Sequence, residues 1–287
     1  MGRGLSADSR TLIQRAYDVL AVEFPSGVRR VAYALFGNQA DDEVKKLGRL
    51  LTWARKHELI PWEWITDETR PERLPFVVSD ATALRDCHRA CPHYDPWQFQ
   101  PVRIKVWSEK SVAGTLAPVL DKYLVPFQVH HGNTSTSIIR QAAVSTREDA
   151  RKLVILGVGD HDPKGVRITE DDVPKRLREY GADMTNVSIR RLALLREDAI
   201  RLKDLRDPFK ENDTDITWYK KHARLNYGVE LEAMPSPELR NRLEQAIRDE
   251  IRDIGAWNAV INASNVVRES WQTYVDRWQA PPTSIVG

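Results

Sequence analysis

Two aspartates in the run Gly159-Asp160-His161-Asp162-Pro163-Lys164-Gly165 stand two residues apart. On extended backbone that spacing projects both side chains from one side, while His161 points away. Such a pair can share a hard cation. Magnesium takes few carboxylates, keeps several waters and fills its shell with phosphate oxygens, so Mg2+ is the expected cofactor and a phosphodiester the expected substrate. A third carboxylate, Glu109, follows the apolar run that ends in Val106-Trp107-Ser108. Asp-Pro-Lys-Gly is also ordinary turn chemistry, which leaves the aspartate pair a purely structural alternative. The metal reading gains weight because the carboxylates end two separate expected strands. Lys110 and Lys164 stand beside them, placed either to contact phosphate or to balance charge.

The carboxylates converge only if those two runs are neighbouring strands. Residues 102–106 alternate apolar and basic, and 153–158 form a continuous apolar run of the kind buried on both faces of a sheet. Between them a helix carrying Leu116, Val119, Leu120 and Tyr123 is expected, then a short strand at 127–130 and a helix at 134–144. A helix near 172–180 and a strand at 187–194 follow. The repeated β-α-β-α-β order predicts an α/β region built on a doubly wound, mainly parallel sheet, whose ligands collect at the carboxyl ends of the strands. His130 and His131 read as strand-end residues rather than catalysts.

Ahead of this region, Leu12, Ala16 and Leu20 predict a helix over 11–22 that Pro25-Ser26-Gly27 stops. A second helix is expected at 28–36. A third, with Val44, Leu47, Leu51 and Ala54, should end near His57. Three short helices suggest a helix-turn-helix or winged-helix module, with 59–70, which holds Trp62 and Trp64, as its wing or closing strand. A short helix near 81–90 and a Pro-rich, aromatic linker at 92–101 place a domain boundary near 98. The last part is helical, with one face carrying Leu239, Leu243, Ala246, Ile247 and Ile251 and another Trp257, Val260, Val267, Trp271, Tyr274 and Trp278. The expected division is therefore 1–98, 99–210 and 211–287.

Composition narrows the function classes. Forty-three basic against 41 acidic residues leave a net charge of +2 without a dense basic block, so any case for nucleic acid must rest on motifs. No stretch approaches the roughly 20 apolar residues of a membrane span, and MGRGLSADSR lacks the apolar run of a secretory signal. A cytoplasmic protein with no membrane partner is expected. Cys87, His88, Cys91 and His93 offer soft zinc ligands, but their spacing matches no common finger, and an incidental helix end is favoured.

The acidic pattern resembles the Toprim domain of topoisomerases, primases and certain nucleases, which carries Glu on one strand and Asp-X-Asp on another. GDHDPKGVRI is similar to the Asp-X-Asp-Pro-X-Gly-X-X-Ile run of the A subunit of type IIB topoisomerases (topoisomerase VI) and its meiotic double-strand-break relatives. HGNTSTSIIRQA resembles the Gly and Ser segment between the acidic motifs of small standalone relatives, and YGVELEAMP resembles their Glu-Leu-Asp-Ala-Leu-Pro string. The resemblance spans about residues 25–235. It implies a winged-helix DNA-binding domain, then Toprim, with magnesium held by Glu109, Asp160 and Asp162, double-stranded DNA as substrate, a homodimer, and a separate ATPase subunit. This chain has no Gly-X-X-X-X-Gly-Lys-Ser/Thr phosphate loop of its own.

The same resemblance points to a tyrosine nucleophile in Val28-Arg29-Arg30-Val31-Ala32-Tyr33, although Ala32 stands where the larger family carries an aromatic residue. At about 100° per residue, Val28, Val31, Ala32, Leu35 and Phe36 share one apolar arc, and Arg29, Arg30 and Tyr33 fall outside it, so Tyr33 should lie off the core face. Arg29, one turn before Tyr33, is placed to neutralise a phosphate or favour a phenolate. The implied reaction is attack by Tyr33 on a DNA phosphate to give a 5′-phosphotyrosyl link, with Arg29 and Glu109 assisting. Phosphate contacts are expected from Arg29, Arg30, Lys110 and Lys164. Two other readings stay open: a Toprim nuclease that uses metal-activated water, and a DNA-binding module without chemistry. Glu230 and Glu232 read as solvated, with an additional metal ligand as the alternative.

Overall fold

The computed structural model describes residues 6–37, 41–66, 94–130, 136–209 and 213–277. Cys87, His88, Cys91 and His93, the helix expected near 81–90, and His131 with the following Gly-Asn-Thr-Ser lie outside the described residues.

Helix α1 (Ala7–Glu23) starts where the Ser6 hydroxyl accepts a hydrogen bond from the Ser9 amide at 3.2 Å. It buries Ile13, Ala16 and Leu20 against α2 (Val28–Phe36) and α3 (Asp41–Lys56), whose Val31, Ala32, Leu47, Leu51 and Ala54 complete one apolar cluster. Gly37, at φ 80°, ends α2 in a conformation that favours glycine. The three expected helices are thus present. The expected wing takes another form: Trp62–Trp64 make a 3-10 turn, and β2 (Ile65–Thr66) pairs parallel with β1 (Ser26–Gly27) instead of closing an antiparallel hairpin. Trp62 is exposed, while Trp64 packs on the helical cluster.

Next come β3 (Val102–Ser108), α4 (Ala113–Tyr123), β4 (Phe127–Val129), α5 (Thr136–Glu148) and β5 (Lys152–Val158). Helix α6 (Pro163–Arg167) runs through a π turn at Ile168–Asp172 into α7 (Val173–Glu179), and β6 (Val187–Ala193) completes the sheet. Its four strands are all parallel, in the order β4-β3-β5-β6. One face carries Trp107, Leu153 and Ile155 under Ile139, Ala142 and Ala143 of α5 and Val173 and Leu177 of α7. After β6 follow α8 (Arg196–Arg201), β7 (Arg206–Asp207), α9 (Ile216–His222), β8 (Gly228–Val229) and α10 (Ser236–Arg248). Strands β7 and β8 pair antiparallel, and α10 packs on α4 and β6. The expected α/β class and parallel sheet are therefore observed.

Residues 1–70 and 102–250 form one compact unit, and 71–101 with 251–287 a second. The second holds α11 (Ile254–Arg277), where Trp257 meets Trp97 edge-on at 5.0 Å. There the Gln100 side chain accepts from the amides of Arg252 and Asp253 and donates to the Asp253 carbonyl. The sequence boundaries at 98 and 210 follow changes of residue pattern, whereas these units follow packing. Among the described residues no helix is long and apolar enough to cross a membrane.

Leu156, in the middle of β5, has no exposed surface. Leu156→Ala is expected to destabilise the protein by about 2–5 kcal/mol, measured by urea denaturation, because it removes packed methyl groups from a strand paired on both sides.

Candidate active site at the switch point of the sheet

The chain leaves β3 for β4 on one side and returns to β5 on the other, so the strand order reverses between β3 and β5. A doubly wound sheet opens a crevice at that point. Ser108 pairs with Val158 at the carboxyl ends of the two strands, which sets Glu109 beside Gly159, and the Glu109 amide donates to the Val158 carbonyl at 3.3 Å. The sequence therefore brings Glu109, Asp160 and Asp162 to one place.

Each carboxylate is held differently. Asp160, 7% exposed, accepts from the Leu231 amide at 2.7 Å and meets the Lys110 ammonium at 3.0 Å. Asp162 caps α6, its Oδ1 accepting from the Gly165 amide at 2.6 Å. Oε2 of Glu109 is buried and has no hydrogen-bond partner. Burial, and then the Asp162 charge, pushes Glu109 up to about 6. Burial also raises Asp160, against the pull of Lys110.

Gly165 is needed for this approach. A Cβ there would lie 2.6 Å from the Asp160 carbonyl, 2.8 Å from Oε2 of Glu109 and 3.1 Å from Oδ1 of Asp162. Among the described residues, no three His, Cys, Asp or Glu side chains stand as a ready set of metal ligands. The reason is visible in the partners: Asp160 is turned to Lys110 and Leu231, and Asp162 to its cap. The donor chemistry nonetheless fits a hard cation, since Oε2 of Glu109 is a buried oxygen without a partner and faces, across Gly165, the oxygen of a second carboxylate.

The side chains around this centre come from distant sequence. His161 exchanges backbone hydrogen bonds with Val229 and turns its ring to the Tyr219 hydroxyl at 2.7 Å. That bridge carries Glu230 and Glu232 to the site, where Lys110 lies 2.7 Å from Glu232 and 3.8 Å from Glu230. Arg29 meets Glu230 at 3.1 Å. Tyr33 donates its hydroxyl to Glu230 at 2.9 Å, with Asp207 at 3.3 Å. Arg191, its side chain 4% exposed, donates to the Asp160 carbonyl at 3.1 and 3.2 Å.

Tyr33 is off the apolar arc of α2, as expected, but only 4% exposed. Burial and the charges of Glu230 and Asp207 push its phenol above the ordinary value. Arg30 takes another role than the expected phosphate contact: it is 8% exposed, binds Glu23 at 2.8 and 3.0 Å, and donates to the Glu232 and Ala233 carbonyls. Lys164 is exposed on α6. Glu230 and Glu232 were expected to be solvated, and both are largely buried members of the network, with side chains 27% and 18% exposed. Their signal in the sequence was the YGVELEAMP string, which shows no strand partner by itself. A groove of about 490 Å³ opens beside α2, lined by Arg29, Thr52, Arg55, Ser111 and Glu232.

No protein-family model and no curated protein matches this chain.

Glu109 has an ordinary value of 4.5 and a folded value of about 6, so the folded state holds its proton more tightly than the unfolded chain. Its contribution to stability is therefore complete below pH 4.5 and lost as pH rises through 6. Glu109→Gln is expected to stabilise the metal-free protein by on the order of 2 kcal/mol at pH 7 and to give no gain at pH 4. Urea denaturation at the two pH values checks this.

Proposed function

We propose that this chain cleaves double-stranded DNA as a magnesium-dependent protein of the topoisomerase VI A type, by transesterification at Tyr33. The observation that carries the reading is the continuity of one polar network. Tyr33 touches Glu230, Glu230 lies by Lys110, and Lys110 touches Asp160, so the phenol shares a site with the three carboxylates at the switch point. Glu109, Asp160 and Asp162 would hold Mg2+, which supplies neutralisation of the negative charge on a phosphodiester.

The remaining work falls to side chains of this chain. Arg29, one turn from Tyr33 and facing the groove beside α2, offers a guanidinium for a DNA phosphate. Attack by the Tyr33 oxygen on phosphorus displaces the 3′ oxygen and leaves a 5′-phosphotyrosyl link. The three helices preceding the sheet take the part of the winged-helix DNA-binding domain, and the sheet that of Toprim. The reading includes a homodimer and a separate ATPase subunit for strand passage.

One observation favours a second reading. A phenol that is 4% exposed and held in its protonated form is a poor nucleophile, and the same carboxylates with metal-activated water make a Toprim nuclease.

The two separate in one assay. Supercoiled and end-labelled DNA are incubated with the protein and magnesium, stopped with detergent, and scored for breaks and for covalent adducts. Adducts are expected with wild type and none with Tyr33→Phe, while Asp160→Ala loses both adducts and breaks. Breaks that persist without adducts in Tyr33→Phe would make the chain a nuclease, and neither product from wild type would leave a DNA-binding module.

A further inference from the structure

We propose that Glu230 is the catalytic proton acceptor for Tyr33. The assignment rests on the reading of Tyr33 as nucleophile and goes beyond it, because the sequence offers Glu230 only as a solvated residue or a further metal ligand, not as a base.

A buried phenol must hand its proton to a neighbour as its oxygen attacks. Tyr33 is 4% exposed, and the acceptors its hydroxyl touches are the carboxylates of Glu230 and Asp207. Its hydroxyl donates to Oε2 of Glu230 at 2.9 Å, a direct transfer distance. The groups facing Glu230 come from three other elements: Arg29 and Tyr33 of α2, Lys110 after β3, and Asp207 of β7, with Glu232 on its own segment. Two are cations, at 3.1 and 3.8 Å, and they keep Glu230 ionised and ready to accept. Burial alone would raise Glu230, but Lys110 and Arg29 hold it below the ordinary carboxylate value. Asp207 is the weaker candidate. It lies farther, at 3.3 Å, and burial with the Glu230 charge raises it, so it favours keeping its own proton.

The step balances without another reagent. The phenolic proton passes to Oε2 of Glu230 as the Tyr33 oxygen bonds to phosphorus. The P–O3′ bond breaks, its electron pair stays on the 3′ oxygen, and that oxygen takes a proton from water, whose hydroxide is neutralised as Glu230 gives up the proton it accepted. Resealing reverses each transfer.

The test measures initial rates of adduct formation on supercoiled DNA with Mg2+ from pH 6 to 9, for wild type, Glu230→Gln, Asp207→Asn and Tyr33→Phe. Glutamine keeps the size of glutamate and an oxygen that can accept a hydrogen bond, but cannot take the proton. Glu230→Gln is expected to slow adduct formation about 100-fold or more, with a rate that now rises about tenfold per pH unit as hydroxide takes over. Asp207→Asn should slow it far less. A Glu230→Gln rate near wild type overturns the assignment and leaves Tyr33 as nucleophile. So does a rate lowered equally at every pH, the signature of damage to the Arg29 and Lys110 contacts alone. Adducts that survive in Tyr33→Phe, or fail to form with wild type, overturn the nucleophile itself and Glu230 with it.

Discussion

The ammonium of Lys110 is where the two halves of this site are tied together. Six carboxylates, Glu109, Asp160, Asp162, Asp207, Glu230 and Glu232, crowd the carboxyl ends of β3 and β5, and like charges at such range repel strongly once water is excluded. Lys110 touches Asp160, Glu232 and Glu230, the first from the end of β5 and the others from the segment after β8. Burial would by itself lower its affinity for a proton, yet these three charges raise it above the ordinary lysine value. Loss of that cation would leave buried carboxylates uncompensated, which destabilises far more than an exposed pair contributes. Lys110 reaches them because it follows Glu109 directly.

Backbone geometry makes the arrangement reproducible. The parallel register of β3 and β5 fixes where Glu109 and Asp160 emerge, and the two hydrogen bonds between His161 and Val229 fix where Glu230 follows. The Leu231 amide then spends its donor on Asp160. The main chain therefore sets where the Cα atoms that carry these carboxylates stand. Gly165 lets them approach, since any Cβ would fill the space between Glu109 and Asp162.

Much of this was legible in the residues. Apolar runs ending in Glu109 and Asp160 announce strands, and the rule that ligands collect at strand ends picks out the carboxylates. The direction of Tyr33 relative to the apolar arc of α2 follows from helical period alone. Its burial does not, because the surface that covers it is supplied by Asp207 and Glu230, far along the chain, and periodicity sees only one element at a time. The burial of Glu230 was hidden for the same reason. A charged residue next to a two-residue strand has no pattern of its own, and solvent is its default until the His161 bridge is known. The segment at 59–70 shows the reverse case: its aromatic residues suggest a wing, but a two-residue strand finds a parallel partner at Ser26–Gly27 that no local signal specifies.

On the reading proposed above, the same network lets a phenol sit unionised beside carboxylates and still serve as a nucleophile. As a neutral group Tyr33 is the donor that Glu230 and Asp207 need, so the resting state is satisfied. Ionisation into bulk solvent would add a negative charge to a crowded acidic site, and burial with Glu230 and Asp207 opposes it. Transfer to Glu230 adds none: one negative charge moves from a carboxylate to the phenolic oxygen beside it, within reach of the Arg29 guanidinium that already neutralised the carboxylate. Under the proposed transfer, the net charge of the site stays constant. On that reading, the raised affinity of Tyr33 for its proton suppresses uncoupled ionisation, and the oxygen would become anionic only as it bonds to phosphorus.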